Sequence, residues 1–243
     1  MEENESNIQE ELSPNEGKNL EIELENGEIY YRYPVKTKIV MQGDSLEELL
    51  DTYVGKHLEE DDLVFISEKI VAISQGRAFP IKDIKPSLLA KFLVRFVHKS
   101  SHGIGLGSGW TMQLAIQEVG RLKIIFVAII AGIAKLFGKK GVFYKILGPK
   151  VAAIDGPCDY TLPPYNEYAK LAPKDPDKVA LRLKKYIGHE IIIIDANDLG
   201  AAILGKSTQE LDDEYLTSIF KDNLLGQASQ QTPIAIVRKK SIE

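Results

Sequence analysis

Cysteine is almost missing from this chain. A single one, Cys158, stands among 243 residues, which excludes an internal disulfide framework and suits a reducing, cytoplasmic setting. No basic stretch followed by an apolar run opens the sequence, so no secretory signal is expected. Long hydrophobic runs are missing too. The longest uncharged one, Ile124–Ala134, is eleven residues, where a spanning helix needs ~20. It reads as a buried helix, with a re-entrant or membrane-surface role as the lesser reading, given Lys123, Lys135, Lys139 and Lys140 on its flanks.

A concentrated basic face is the last absence. The net charge of −5 divides unevenly: residues 1–28 hold ten Asp and Glu against Lys18, and the remainder is mildly basic. That suits a small phosphate-bearing substrate and excludes the basic, aromatic-interleaved surface of a nucleic-acid binder. An apolar content of 44% is ample for a large domain or two lobes.

What is present is organised around Glu190–Gly200, EIIIIDANDLG. Four consecutive isoleucines, branched at Cβ and apolar on both faces of the pleat, predict a central strand buried on both sides. It delivers Asp195, Asn197 and Asp198 to one sheet edge. Such oxygen donors can hold a hard cation such as Mg²⁺ or Mn²⁺, or simply cap a turn.

Residues 1–18, acidic and poor in apolar side chains, read as a disordered tail, with the folded body spanning 19–240. Leu20–Glu25 and Glu28–Tyr33 flank Asn26-Gly27, which predicts a hairpin with a two-residue type I′ turn. Val35–Met41 reads as a further strand. Ser45 and Glu48 form a capping-box pattern ahead of a helix. Leu63–Ile66 reads as a strand followed by a helix capped at Ser67, and Pro86-Ser87 opens a core helix carrying Leu88, Phe92 and Phe96. The glycine-rich His102–Gly109 reads as a hinge, a lid or a weak phosphate cradle before a helix over Trp110–Val119. Val142–Ile154 reads as strand-like runs leading to Asp155, Asp175–Tyr186 and Gln209–Phe220 as helices, and Pro233–Lys239 as a closing strand. Strands, helices and hairpins mixed in this way imply α+β: mixed sheets with flanking helices in one two-lobed domain.

Gly200–Ser207, GAAILGKS, satisfies the P-loop pattern letter for letter. It is expected to be a chance match. A P-loop needs a second acidic strand for Mg²⁺, and the one strand after Ser207 ends in Arg238-Lys239-Lys240.

Four segments in order resemble the coenzyme F420-0:γ-glutamyl ligase family, GTP-dependent amide ligases: Gln42–Leu46, Leu63–Arg77, Val151–Asp155 and Gly226–Arg238 (GQASQQTPIAIVR). Residues 103–140 look like an insertion, as in a bacterial branch. The resemblance implies an F420:glutamate ligase-like fold, a homodimer, and a nucleotide- and Mg²⁺- or Mn²⁺-dependent ligase joining glutamate, or a similar amino acid, to a carboxylate through an acyl-phosphate. It implies Asp155, Asp195 and Gln227 as metal ligands, the two aspartates also as catalytic residues, and a nucleotide loop over Leu225–Gln231 with Gly226, Gln227, Ala228 and Ser229.

The chain departs from the family pattern elsewhere. A family lysine near the phosphates falls on Ile73, the hydroxyl pair before it on Glu68 and Lys69, a threonine on Ala196 and an asparagine on Cys158. Lys69, four residues before Ile73 and so on the same helical face, is the candidate to supply the charge. His102, His189 and Cys158 are expected to be surface, loop or packing residues. Expected partners are a small-molecule substrate, an amino acid and a second copy of the chain, with no nucleic acid and with membrane association only the lesser reading. The alternative function is a non-catalytic ligand-binding or regulatory module that has lost the phosphate lysine.

Overall fold

The structure, a computed structural model, describes residues 12–97, 104–139, 141–159, 161–197, 200–226 and 229–240. Two compact units make up the chain. A helical unit, Gly76–Pro173, is inserted between the two segments, Met1–Gln75 and Lys174–Glu243, that build a sheet unit. The class is α+β, as the sequence implied.

In the sheet unit six strands lie in the order β1 (Glu21–Glu23), β2 (Ile29–Val35), β8 (Ile234–Lys239), β3 (Leu63–Ser67), β6 (Glu190–Asn197) and β7 (Gly200–Lys206). β3 and β6 run parallel and every other neighbouring pair antiparallel. Ile191, Ile192, Ile193 and Ile194 are all fully buried, as a strand covered on both faces requires. One core joins Phe65, Ile192, Ile194, Ala235 and Val237 to Leu216 and Ile219 of helix α9 (Asp213–Ile219). Helix α8 (Pro176–Ile187) packs on β6 and β7 and against helix α1 (Leu46–Tyr53). Ser45 caps α1 by accepting from the Glu48 N–H at 3.2 Å. Ser67 caps helix α2 (Glu68–Ser74) by accepting from the Lys69 N–H.

Two buried arginines tie the segments together. Arg238 donates to both Asp62 oxygens at 2.9 and 2.7 Å and pairs with Glu59 at 2.7 Å. Arg32 donates to the Ile219 and Asn19 carbonyls and pairs with Asp222. Burial alone would raise the Asp222 carboxyl, but the hydrogen bond and charge of Arg32 outweigh it and hold the group below its usual range. Where the chain leaves and re-enters this unit, the Gln75 side-chain amide donates to the Lys174 carbonyl (2.9 Å) and accepts from the Lys174 N–H (2.7 Å).

Several expectations for this unit are corrected. The hairpin turn is not a two-residue type I′. The Gly27 N–H donates to the Leu24 carbonyl, the Leu24 N–H to the Glu28 carbonyl, and of the turn residues Gly27 has the positive φ, 80°. Asn26 keeps an ordinary φ because its Oδ1 accepts from the Glu28 N–H, giving a three-residue loop ending in a left-handed glycine. The strand expected over Val35–Met41 ends at Val35, because its partner β8 begins opposite, at Ile234. The tail expected through residue 18 is docked over 12–18. Leu12 is buried, Asn15 Nδ2 donates to the Leu224 carbonyl and to Thr232 Oγ1 at 2.8 Å each, and Lys18 donates to the Asp222 carbonyl. Residues 1–11 lie outside the described set.

The helical unit pairs β4 (Ala78–Pro80) with β5 (Tyr168–Lys170). Around this ribbon stand α3 (Leu88–Leu93), α4 (Gly109–Val119), α5 (Arg121–Leu136), α6 (Val142–Leu147) and α7 (Pro149–Ala152). Its core gathers Leu93, Leu106, Met112, Ile116, Ile124, Val127, Val151 and Ile154. Three expectations fail here. α3 stops after Leu93 and turns to a 3-10 segment, and it buries Ala90 and Leu93 while Leu88, Phe92 and Phe96 face solvent. The run Ile124–Ala134 is helical but buries only Ile124 and Val127, the stripe of α5 that meets its neighbours. Val142–Ile154 is helical where strands were expected, with Gly148 (φ 80°) and Pro149 dividing α6 from α7. Short apolar runs carry no periodicity that separates the two outcomes.

Candidate functional site

The sheet register brings three chain segments to one end of the sheet unit. Ser67, the last residue of β3, pairs with Ile194 of β6, and Ile66 pairs with Ile234 at the start of β8. Asp195 therefore lies one residue past the β3 ladder, Glu68 and Lys69 turn straight from β3 into α2, and the loop before β8 comes to the same end. The Ser67 N–H donates to the Pro233 carbonyl at 2.8 Å, fastening β3 to that loop.

Gly226 and Thr232 close the loop. Their backbones exchange hydrogen bonds, and the Gly226 N–H also donates to Thr232 Oγ1 at 2.9 Å. A Cβ on Gly226 would come within 2.5 Å of the Gln230 Cβ and 2.8 Å of Thr232 Oγ1, so the pinch needs glycine. Asn15, in the segment read as tail, braces the loop from outside through Thr232. Composition hid this support, since the tail looked purely acidic.

Asp195 is partly buried beside fully buried isoleucines. Opposite Ile193 and Ile194 the β7 register slips by one residue, a bulge at Leu204 that sets Asp195 against Ala202. Bulges of this kind re-aim the side chains that follow. Lys69 is half-buried in the first turn of α2, and Ile73, where the family pattern has its lysine, is buried in the core. Ala196 is buried, and Cys158 is of intermediate exposure in the helical unit. Ser229 is exposed in the loop, whereas Gln227 and Ala228, like Asp198, His102 and Gly103, lie outside the described residues.

Asp155 belongs to the helical unit. It follows α7 rather than a strand, pairs by backbone with Lys170, and its Oδ1 accepts from the Gly156 N–H at 2.8 Å. The adjoining Lys170 is a buried cation that the sequence reading missed, and its Nζ donates to the Ala153 carbonyl at 2.8 Å. In the glycine-rich segment Leu106 is fully buried and Ser108 forms a reciprocal capping box with Thr111, so both residues are bound into the unit's core and the start of α4.

The first seven residues of GAAILGKS, Gly200–Lys206, are β7 itself, a strand in place of a phosphate loop. Lys206 Nζ is bound to Asp213 and the Leu211 carbonyl, and Ser207 donates to Glu190. Burial would raise the Glu190 carboxyl, but bonds from Lys184, Ser207 and Thr208 prevail and hold it below its usual range. The His189 ring nitrogens meet the Ile187 and Glu59 carbonyls, a structural role.

Among the described residues no group of three or more His, Cys, Asp and Glu side chains is gathered closely enough to chelate a metal by itself. A donor set of carboxylate oxygens suits Mg²⁺ or Mn²⁺, ions that take one or two carboxylates and complete their shell with water and substrate phosphates.

No curated protein matches the chain. A family model described as F420-0:gamma-glutamyl ligase matches residues 34–199, more than half of the sequence, and takes in Lys69, Asp155 and Asp195. The loop 226–232 and β8 lie beyond the match, yet β8 occupies the middle of the sheet between β2 and β3. On this match, which covers the whole insert and part of each segment of the sheet unit, the chain belongs to the F420-0:gamma-glutamyl ligase family.

Proposed function

We propose that the protein is a nucleotide- and divalent-metal-dependent amide ligase that adds glutamate, or a similar amino acid, to a carboxylate substrate through an acyl-phosphate, with GTP as the phosphoryl donor. The reading is carried by the convergence of Asp195, the Ser67–Lys69 turn and the bridge-closed loop 226–232 at one end of the sheet. A carboxylate and an amine do not condense unaided in water. Transfer of a phosphoryl group to the carboxylate oxygen releases the nucleoside diphosphate. The amine then attacks the acyl carbon, expels phosphate and loses its proton.

Phosphoryl transfer asks a protein mainly for positioning and charge neutralisation. Asp195 would hold Mg²⁺ or Mn²⁺, which when bound neutralises phosphate charge. Lys69 would add positive charge from the turn after β3, in place of the lysine that Ile73 replaces. Loop 226–232, held in shape by Gly226 and Thr232, would present backbone and Ser229 to the nucleotide, with Gln227 as a further oxygen ligand. Asp155 would be the other carboxylate ligand that the resemblance implies.

Thermal shift with GTP, ATP and Mn²⁺, singly and together, tests this. A nucleotide at a hundred times its dissociation constant stabilises the fold by about 2.7 kcal/mol, and that gain is expected only with metal present. Asp195→Asn and Asp155→Asn should each abolish the shift while keeping the unliganded melting temperature. If no combination stabilises the native chain, the ligase reading gives way to a non-catalytic module, consistent with Ile73 in the lysine position.

A further inference from the structure

Helix α5 is built like a helix that lies on a membrane surface. Leu122, Phe126, Ile129, Ile133 and Leu136 recur at alternating spacings of four and three, which places them on one face. That face is open: Leu122 is 87% exposed, Phe126 63%, Ile129 57%, Ile133 52% and Leu136 85%, while Ile124 and Val127 on the opposite side are buried. The following Phe137 is exposed as well. Soluble proteins rarely leave so continuous an apolar stripe in water without an occupant.

Charge identifies the occupant. Between Glu118 and Asp155 the sequence contains no acidic residue at all, and it contains Arg121, Lys123, Lys135, Lys139, Lys140, Lys145 and Lys150. On α5 itself Arg121, Lys123 and Lys135 are exposed and flank the apolar stripe rather than interrupting it. Long basic side chains in that position reach headgroup phosphates while the stripe enters the acyl boundary. No helix among the described residues is long and apolar enough to cross a membrane, so the geometry is that of a helix lying on the surface. A second copy of the chain fits less well. A two-fold contact through α5 would set one all-basic helix against another, at a cost in like-charge repulsion. In the same unit α3 and the 3-10 segment after it expose Leu88, Phe92 and Phe96 beside Lys91 and Arg95, a smaller patch of the same character, and both α3 and α5 pack on α4.

We propose that the exposed face of α5 docks the protein on an anionic lipid surface, as a peripheral attachment driven by the apolar stripe and the one-signed charge around it. Each basic group near such a surface contributes a roughly fivefold gain in binding.

Sedimentation of the full chain with phosphatidylcholine vesicles, alone or mixed with phosphatidylglycerol, is the test. The native chain should pellet with the mixed vesicles, remain in solution with phosphatidylcholine alone, and be partly released by salt. Phe126→Glu/Ile129→Glu should abolish pelleting. Lys135→Gln/Lys139→Gln should weaken it about thirtyfold. All four positions are exposed, and an unchanged melting temperature will show that the fold is retained. Native chain left in the supernatant with mixed vesicles would overturn the proposal, as would full binding by Phe126→Glu/Ile129→Glu. A native mass in light scattering twice that of the chain, halved by the same variant and without vesicle binding, would assign the face to a second copy instead.

Discussion

The two units treat apolar and charged side chains in opposite ways. In the sheet unit the apolar runs point inward on both faces of the sheet, and the buried arginines, Arg32 and Arg238, each meet a carboxylate. In the helical unit α3 and α5 turn phenylalanines, leucines and isoleucines outward, and positive charge accumulates over residues 119–154 without an acid. One unit is finished as a self-contained core. The other presents a surface that burial within the chain does not explain, and surfaces of that kind mark interaction sites.

The comparison breaks most sharply at the Arg238–Asp62 pair. Asp62→Ala leaves a buried guanidinium with the His57 carbonyl and the partly exposed Glu59 but without its buried carboxylate, which should cost about 3–5 kcal/mol. Denaturant unfolding followed by far-ultraviolet circular dichroism will register it, and a loss below 1 kcal/mol would mean that the pair is not desolvated. A smaller effect is expected at Gly205, whose added Cβ would stand 2.5 Å from the Pro176 carbonyl carbon at the start of α8. Gly205→Ala should force α8 off β7 and destabilise by about 1–3 kcal/mol, read as a lowered urea midpoint. Smallest is Lys206→Ala, which removes a partly exposed ion pair with Asp213 and should cost under about 1 kcal/mol. Any thermal shift given by GTP with Mn²⁺ should survive it. Loss of that shift would revive the phosphate-loop reading of GAAILGKS.

β6 and the Asp195 that follows its isoleucines were plain in the sequence because four adjacent β-branched apolar residues have few other solutions, although the strand runs on to Asn197. The helices capped by Ser45 and Ser67 were equally legible, since each cap is a local hydrogen bond. What stayed hidden depends on partners far along the chain. No local rule announces that Val35 ends its strand because Ile234 begins opposite, or that Asn15 reaches Thr232. The direction of α5 was hidden for the same reason: apolar composition gives a helix its stripe, but only the packing of α4 and α6 decides which residues, here Ile124 and Val127, are covered. Asp155 was correctly set just past an element, though that element is a helix.

The reciprocal bonds between Gln75 and Lys174 have a meaning for how such a protein can change over generations. They hold the two cut ends of the sheet unit side by side, so its strand pairings are complete whatever the chain does between them. The stretch from Gly76 to Pro173 is in that sense a cassette. It can lengthen or acquire an outward-facing helix such as α5 without disturbing a single register around Asp195, and a new place of work can be added to an old chemistry.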